Sequence, residues 1–194
     1  MQADLRCIRN WCIAGVPVIT ASGSAMHYAY DWSGQHAIMG LIFPVNESVW
    51  EHLKMAYWGL FLFALCEYPW VNQKVKNYFT IKLLGLLILI FSILAIYYAY
   101  HSLLGRNVLA LDILSFVVGV VLCQWASWRL YQNPFAMRFT DSISLLLFIG
   151  TGILFAWLTL HPPRKKIFWD RNTKSYGIPE FRKNNQENFF LHPF

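Results

Sequence analysis

The 194-residue chain is 57% hydrophobic, with a mean hydropathy of +0.39, and only 13% of its residues are Asp, Glu, Lys or Arg. Soluble domains carry roughly a quarter charged residues, so the composition excludes an ordinary soluble domain and indicates one integral membrane domain. The formal charge of +6 does not imply nucleic acid, because seven of the sixteen Lys and Arg residues lie beyond His161, outside the apolar runs, and no nucleic-acid module is present. A basic segment beside a membrane meets anionic headgroups; membrane lipids are the expected partners.

In chain order, residues 1–10 are mostly polar and carry Arg6 and Arg9. An apolar segment from Trp11 to about Tyr30 follows. Gly23, Ser24 and Ala25 would suit a signal-peptidase cut, but apolar character continues through Met26, Tyr28 and Tyr30, so an uncleaved first span is expected. A loop from Asp31 to Pro44 opens on the turn-forming Asp31-Trp32-Ser33-Gly34. The second predicted span runs from about Val49 to Tyr68, closed by Pro69. At about 1.5 Å per residue, a helix of that length matches a hydrocarbon core of about 30 Å. A connector with Lys74 and Lys76 leads to a third span over about 79–100. His101-Ser102 and Gly105-Arg106-Asn107 form a turn into a fourth, about 108–130, with Asp112 one turn inside it. Asn133-Pro134 and Arg138 mark the next connector. The fifth span, about 142–160, holds Gly150 and Gly152, which permit close helix approach, and His161-Pro162-Pro163 stops it. The expected fold is therefore all-α, an integral membrane bundle of about five transmembrane helices over residues 1–161, with a polar basic tail over 162–194.

The four cysteines, Cys7, Cys12, Cys66 and Cys123, read as buried or interfacial free thiols, since structural zinc sites use tighter paired spacings. Five spans put the N-terminus and the second and fourth connectors on one side, together with Arg6, Arg9, Lys74, Lys76, Lys82, Arg129 and Arg138. The positive-inside rule then places the N-terminus in the cytoplasm of a multi-pass cell-membrane protein. The outer ends of the spans would carry His27 and Tyr30, Glu47 to Lys54, Tyr98, Tyr100 and His101, Asp112, and His161. That one-sided placement predicts an outward-facing polar pocket.

Its centre is Pro44 to Lys54, PVNESVWEHLK. On a helix Glu47 and Glu51 share a face, as do Ser48 and His52. Part of the stretch has a plain structural reading. Ser48-Val49-Trp50-Glu51 fits a capping box, Asn46 is a good N-cap, and acidic residues suit the positive end of the helix dipole. That leaves His52 and Lys54 to explain. Imidazole and carboxylate ligands suit a divalent metal such as zinc. His27, His52, Glu47 and His101 are the candidate ligands; Glu47, Glu51, His52 and Asp112 are the candidate catalytic groups. For Asp112 the structural alternative is an ion pair with Arg106, Lys54 or His101. Glu67, at the other end of the bundle, is expected to be solvated or paired with a nearby Lys. Tyr97, Tyr98 and Tyr100 read as interface anchors.

PVNESVWEHLK, with His27, Tyr30, Trp32-Ser33-Gly34, Asp112-Ile113, Pro162-Pro163, Phe168, Asp170 and Tyr176-Gly177-Ile178, resembles a family of small bacterial multi-pass membrane proteins of unknown function. The resemblance spans about residues 20–178. It implies a membrane fold and no activity; the chain departs from it at Arg164-Lys165-Lys166 and after Pro179.

Three functional readings stay open on the sequence. One is a membrane-embedded, metal-assisted hydrolase of lipid-like substrates. Another is a proton-coupled transporter in which Asp112 and Glu47 titrate, against which the absence of an internal repeat counts. The third is a structural protein whose polar groups serve helix packing.

Overall fold

The computed structural model describes residues 2–132 and 138–178. They form five long helices: α1 (Gln2–Trp32), α2 (Val49–Val71), α3 (Tyr78–Leu104), α4 (Leu109–Gln132) and α5 (Arg138–Leu160). A short hairpin follows, of β1 (Trp169–Asp170) and β2 (Ser175–Tyr176), antiparallel with Trp169 opposite Tyr176. Among the described residues, three helical stretches are long and apolar enough to cross a membrane: α3, α4 and Asp141–Leu160 of α5. α1 is diluted by Thr20, Ser22, Ser24 and His27, and α2 by Glu51, Lys54 and Glu67. Pro69 lies inside α2 instead of ending it. Residues 133–137, where a connector was expected, and 179–194 of the expected tail lie outside the described residues.

By packing, the chain divides into two compact units, Met1–Ser24 with Ala56–Thr151, and Ala25–Met55 with Gly152–Phe194.

In the first unit, α3 and α4 form a tight pair. A Cβ on Gly119 would come within 3.2 Å of the Leu89 carbonyl oxygen, and one on Gly85 within 3.0 Å of Cys123 Sγ. Small residues at these crossings let the backbones approach, the usual device of helix association in lipid. Gly105, at φ +66°, ends α3 by donating its N–H to His101 O; the left-handed cap costs a residue without Cβ little. At the start of α3, the Thr80 N–H donates to Asp141 Oδ1 of α5 at 2.8 Å. A carboxylate there satisfies an orphan amide and suits the dipole. Buried Ile8, Cys12, Val71, Tyr78, Ile81 and Tyr131 make one apolar cluster. Outward, Phe91 and Leu146 are each about two-thirds exposed; large exposed apolar side chains suit an apolar solvent.

The second unit is organised on Trp50, whose ring lies 4.6 Å from that of Phe155 and 4.7 Å from that of Phe168. Residues 162–178, read from sequence as the start of a tail, fold into this unit. Phe168, Asp170 and Ile178 are buried. Asp170 accepts from Asn172 N at 2.9 Å and Thr173 Oγ1 at 2.6 Å, an Asx-type turn that sets the hairpin. Gly177, at φ +60°, is followed by Ile178, which reaches Gly40; a Cβ on Gly40 would lie 3.1 Å from Ile178 Cδ1.

Candidate functional site

All of the site's groups belong to the second unit. Asn46 and Ser48 shape the start of α2. Asn46 Oδ1 accepts from Ser48 N at 2.9 Å, and its amide donates to Gly177 O at 3.2 Å. Ser48 Oγ accepts from Glu51 N at 3.4 Å, which is half of the expected capping box. The return bond goes elsewhere: Glu51 Oε2 accepts from Val45 N at 3.2 Å.

Glu51 is buried along with Lys54, and the two form an ion pair. Lys54 Nζ also donates to Gly40 O at 2.7 Å, and Thr159 Oγ1 donates to Glu51 Oε1 at 3.0 Å. Both Glu51 oxygens and the ammonium thus have partners. A buried charge pair persists only with such satisfaction, and this one ties α2 to α5 and to the 39–41 turn.

Glu47 behaves differently. Its side chain is 42% exposed; Oε1 lies 3.0 Å from His27 Nε2, and Oε2 lies 3.6 Å from His52 Nε2. The two rings are 5.8 Å apart. The ligand atoms of His27, Glu47 and His52 all lie within 4.8 Å of one another. Ser48 O sits 2.9 Å from His52 Nδ1. A carbonyl only accepts, so Nδ1 carries a proton and Nε2 is the ring nitrogen that faces Glu47. Metal-binding histidines are held in this way. The hydrogen bond from His27 holds the Glu47 carboxyl below its ordinary range, against the opposing effect of burial, and the charges of His27 and His52 add to it. A cavity of about 60 Å³ adjoins His27 and Glu47, lined also by Tyr30, Asp31, Val45 and Asn46. That is room for a few waters.

The chain matches the family of unknown function DUF6512 over residues 1–178. It belongs to that family. No curated protein and no solved structure matches it.

The other candidates of this DUF6512 protein fall in the first unit. Asp112 accepts a short hydrogen bond from the Tyr100 hydroxyl, a phenol on α3, where the structural alternative was a cation. Asn107 Oδ1 accepts from the Tyr97 hydroxyl at 3.2 Å, and the His101 ring lies 5.6 Å from that of Tyr97. His161 stacks on Trp157 in the second unit. Sequence reasoning missed Thr159, which completes the Lys54–Glu51 pair from 105 residues away; a lone threonine in an apolar run gives no signal. All four cysteines are free, Cys12 and Cys123 buried.

Proposed function

We propose that this is a multi-pass membrane protein whose His27, His52 and Glu47 bind a divalent metal, zinc by ligand chemistry, for hydrolysis of a lipid-like substrate. The observation that carries this reading is three ligand atoms of His₂-carboxylate type, mutually within 4.8 Å, at the edge of a polar cavity. Two imidazoles and one carboxylate are the donor set of hydrolytic zinc sites, which leave a fourth position for water. A metal held there would lower the pKa of its water and polarise an ester or phosphoester oxygen. His52 would bind through Nε2, its ring fixed by the Ser48 carbonyl. Glu47 would exchange its contacts with the two rings for the metal. Asp31 and Asn46 line the cavity where a substrate's polar end would lie. The apolar faces of α3, α4 and α5 favour a substrate drawn from the bilayer.

Metal analysis of the purified protein tests this directly. About one zinc per chain is expected in the wild type and none in His52→Ala or Glu47→Gln. Failure of the wild type to retain zinc after equilibration with it, or equal retention by these variants, refutes the reading. Lost thermal stability with unchanged metal content in the variants would assign these residues to packing.

A further inference from the structure

Lys54 and Lys82 are consumed inside the fold: Lys54 pairs with Glu51, and Lys82 of α3 with Glu67 of α2, all four buried. The cations that follow α5 are placed in the opposite way. Residues 161–178 carry Arg164, Lys165, Lys166, Arg171 and Lys174 against one acid, Asp170. The five basic residues are exposed. Asp170 is buried and spent on the hairpin turn, accepting from Asn172 N, Thr173 N and Thr173 Oγ1. Among the described residues, Arg164, Lys165, Lys166 and Lys174 enter no ion pair.

These charges sit on a folded support. Lys165 N donates to Pro163 O at 2.7 Å and Phe168 N to Lys165 O at 3.0 Å, which winds the basic run into a tight turn. β1 and β2 then close residues 171–174 into a second turn, where Lys174 holds φ +52°. A lysine keeps that left-handed backbone only where its surroundings over-determine it. The inward side of the segment is apolar, with Phe168 on Trp50. Trp169 and Tyr176 pack across the hairpin, their ring centroids 4.8 Å apart.

Position along the chain says what faces the basic run. In the same unit, the last turns of α5 expose Ile153, Leu154 and Trp157, and Trp157 stacks on His161 at 5.3 Å. That stretch ends the apolar helix Asp141–Leu160, and Trp is the residue of the membrane interface. Arg164 follows four residues after the helix ends, where headgroups follow hydrocarbon. Clusters of Lys and Arg beside a membrane helix attract anionic lipid. A soluble polyanion would use the charges and leave the apolar face beside them uncovered; a lipid uses both.

We propose that the Arg164-Lys165-Lys166 run is a docking surface for an anionic phospholipid, holding its phosphate while its acyl chains enter the bilayer around the exposed face of α5. This rests on the reading of α5 as a membrane helix and is independent of zinc. Arg171 and Lys174 add to the positive field of the same segment. The surface selects anionic over zwitterionic lipid, because a choline headgroup brings a cation of its own to the run.

Titration of dioctanoyl phosphatidylglycerol and dioctanoyl phosphatidylcholine into the full-length protein, in a neutral detergent with EDTA and read by microscale thermophoresis, tests this. The anionic lipid should bind more tightly, and added salt should weaken its binding alone. Each cation removed should weaken it about fivefold, so Lys165→Gln/Lys166→Gln should lose about 25-fold with phosphatidylcholine binding unchanged. Lys165→Arg/Lys166→Arg should keep the preference. Lys74→Gln/Lys76→Gln, which removes the same charge from the first unit, should keep it too. Equal affinity for the two lipids overturns the proposal, as does a preference that survives Lys165→Gln/Lys166→Gln or falls equally in Lys74→Gln/Lys76→Gln. Displacement of the lipid by equimolar inorganic phosphate or oligonucleotide also overturns it, by making the run a general anion site. Binding of neither lipid overturns it together with the membrane reading of α5, whereas a failure of zinc binding leaves it standing.

Discussion

His52 and Lys54, two residues apart, are put to opposite uses by their surroundings. The His52 ring is fixed at Nδ1 by Ser48 O and keeps Nε2 beside Glu47, whereas Lys54 has no exposure and is spent on Glu51, Gly40 and Thr159. Losing a ligand costs more than losing a ligand's support, which is worth 10–100-fold. His52→Ala should therefore weaken zinc binding by at least about 100-fold in calorimetric titration. Metal binding should also be pH-dependent. Imidazole binds only as the neutral base, so affinity should fall on acidification from neutral pH. Glu47, its carboxyl held low by His27, stays ionised through that fall. The contribution of its ionised form to stability is complete above the ordinary carboxylate range and is lost only as pH drops through the depressed value. Glu47→Gln should thus weaken zinc binding across the whole neutral range. At the buried pair, Lys54→Met leaves Glu51 uncompensated and should cost about 3–5 kcal/mol, seen as a lower unfolding midpoint. Adding Glu51→Gln should restore much of it.

At the scale of elements, the 166–178 segment supports the start of α2 through the Phe168 ring against Trp50 and the hydrogen bond from Asn46 to Gly177 O. Gly177 has φ +60°, and a Cβ there would stand 2.6 Å from Thr159 O. A substitution thus meets both backbone strain and a clash with a carbonyl that cannot swing away. Gly177→Ala should destabilise the fold by about 1–3 kcal/mol and loosen the Asn46 turn that presents Glu47. Thermal unfolding together with zinc titration checks this; a variant as stable as wild type would show that the hairpin does not brace the site. The sequence marked Tyr176-Gly177-Ile178 as characteristic but assigned it to a tail. Periodicity cannot reveal a hairpin of two-residue strands whose turn is made by one aspartate.

For the whole molecule, α3, α4 and most of α5 are long and apolar enough to span a bilayer. In a cysteine-free background, cysteines at Lys76 and Gln132 should react with an impermeant reagent from one side, and a cysteine at Arg106 from the other. Labelling of all three from one side would rule out crossing by α3 and α4. The apolar runs gave all five helices to within a few residues at most ends, because hydrophobic length is a local property. The α1 start is the exception: Gln2 to Asn10 are helical despite their polarity.

The chain's composition and apolar runs settled, unaided, that this is a helical protein suited to a membrane, and PVNESVWEHLK marked where polar groups collect. Both follow from side-chain chemistry read along the chain. Tertiary structure alone decided which of those groups meet: Glu47 with the two histidines, Glu51 with Lys54 and Thr159, Asp112 with Tyr100, and Glu67 with Lys82. The reason is that partners as far as 108 residues apart are brought within bonding distance by helix packing, and helical spacing carries no information about which helix lies alongside.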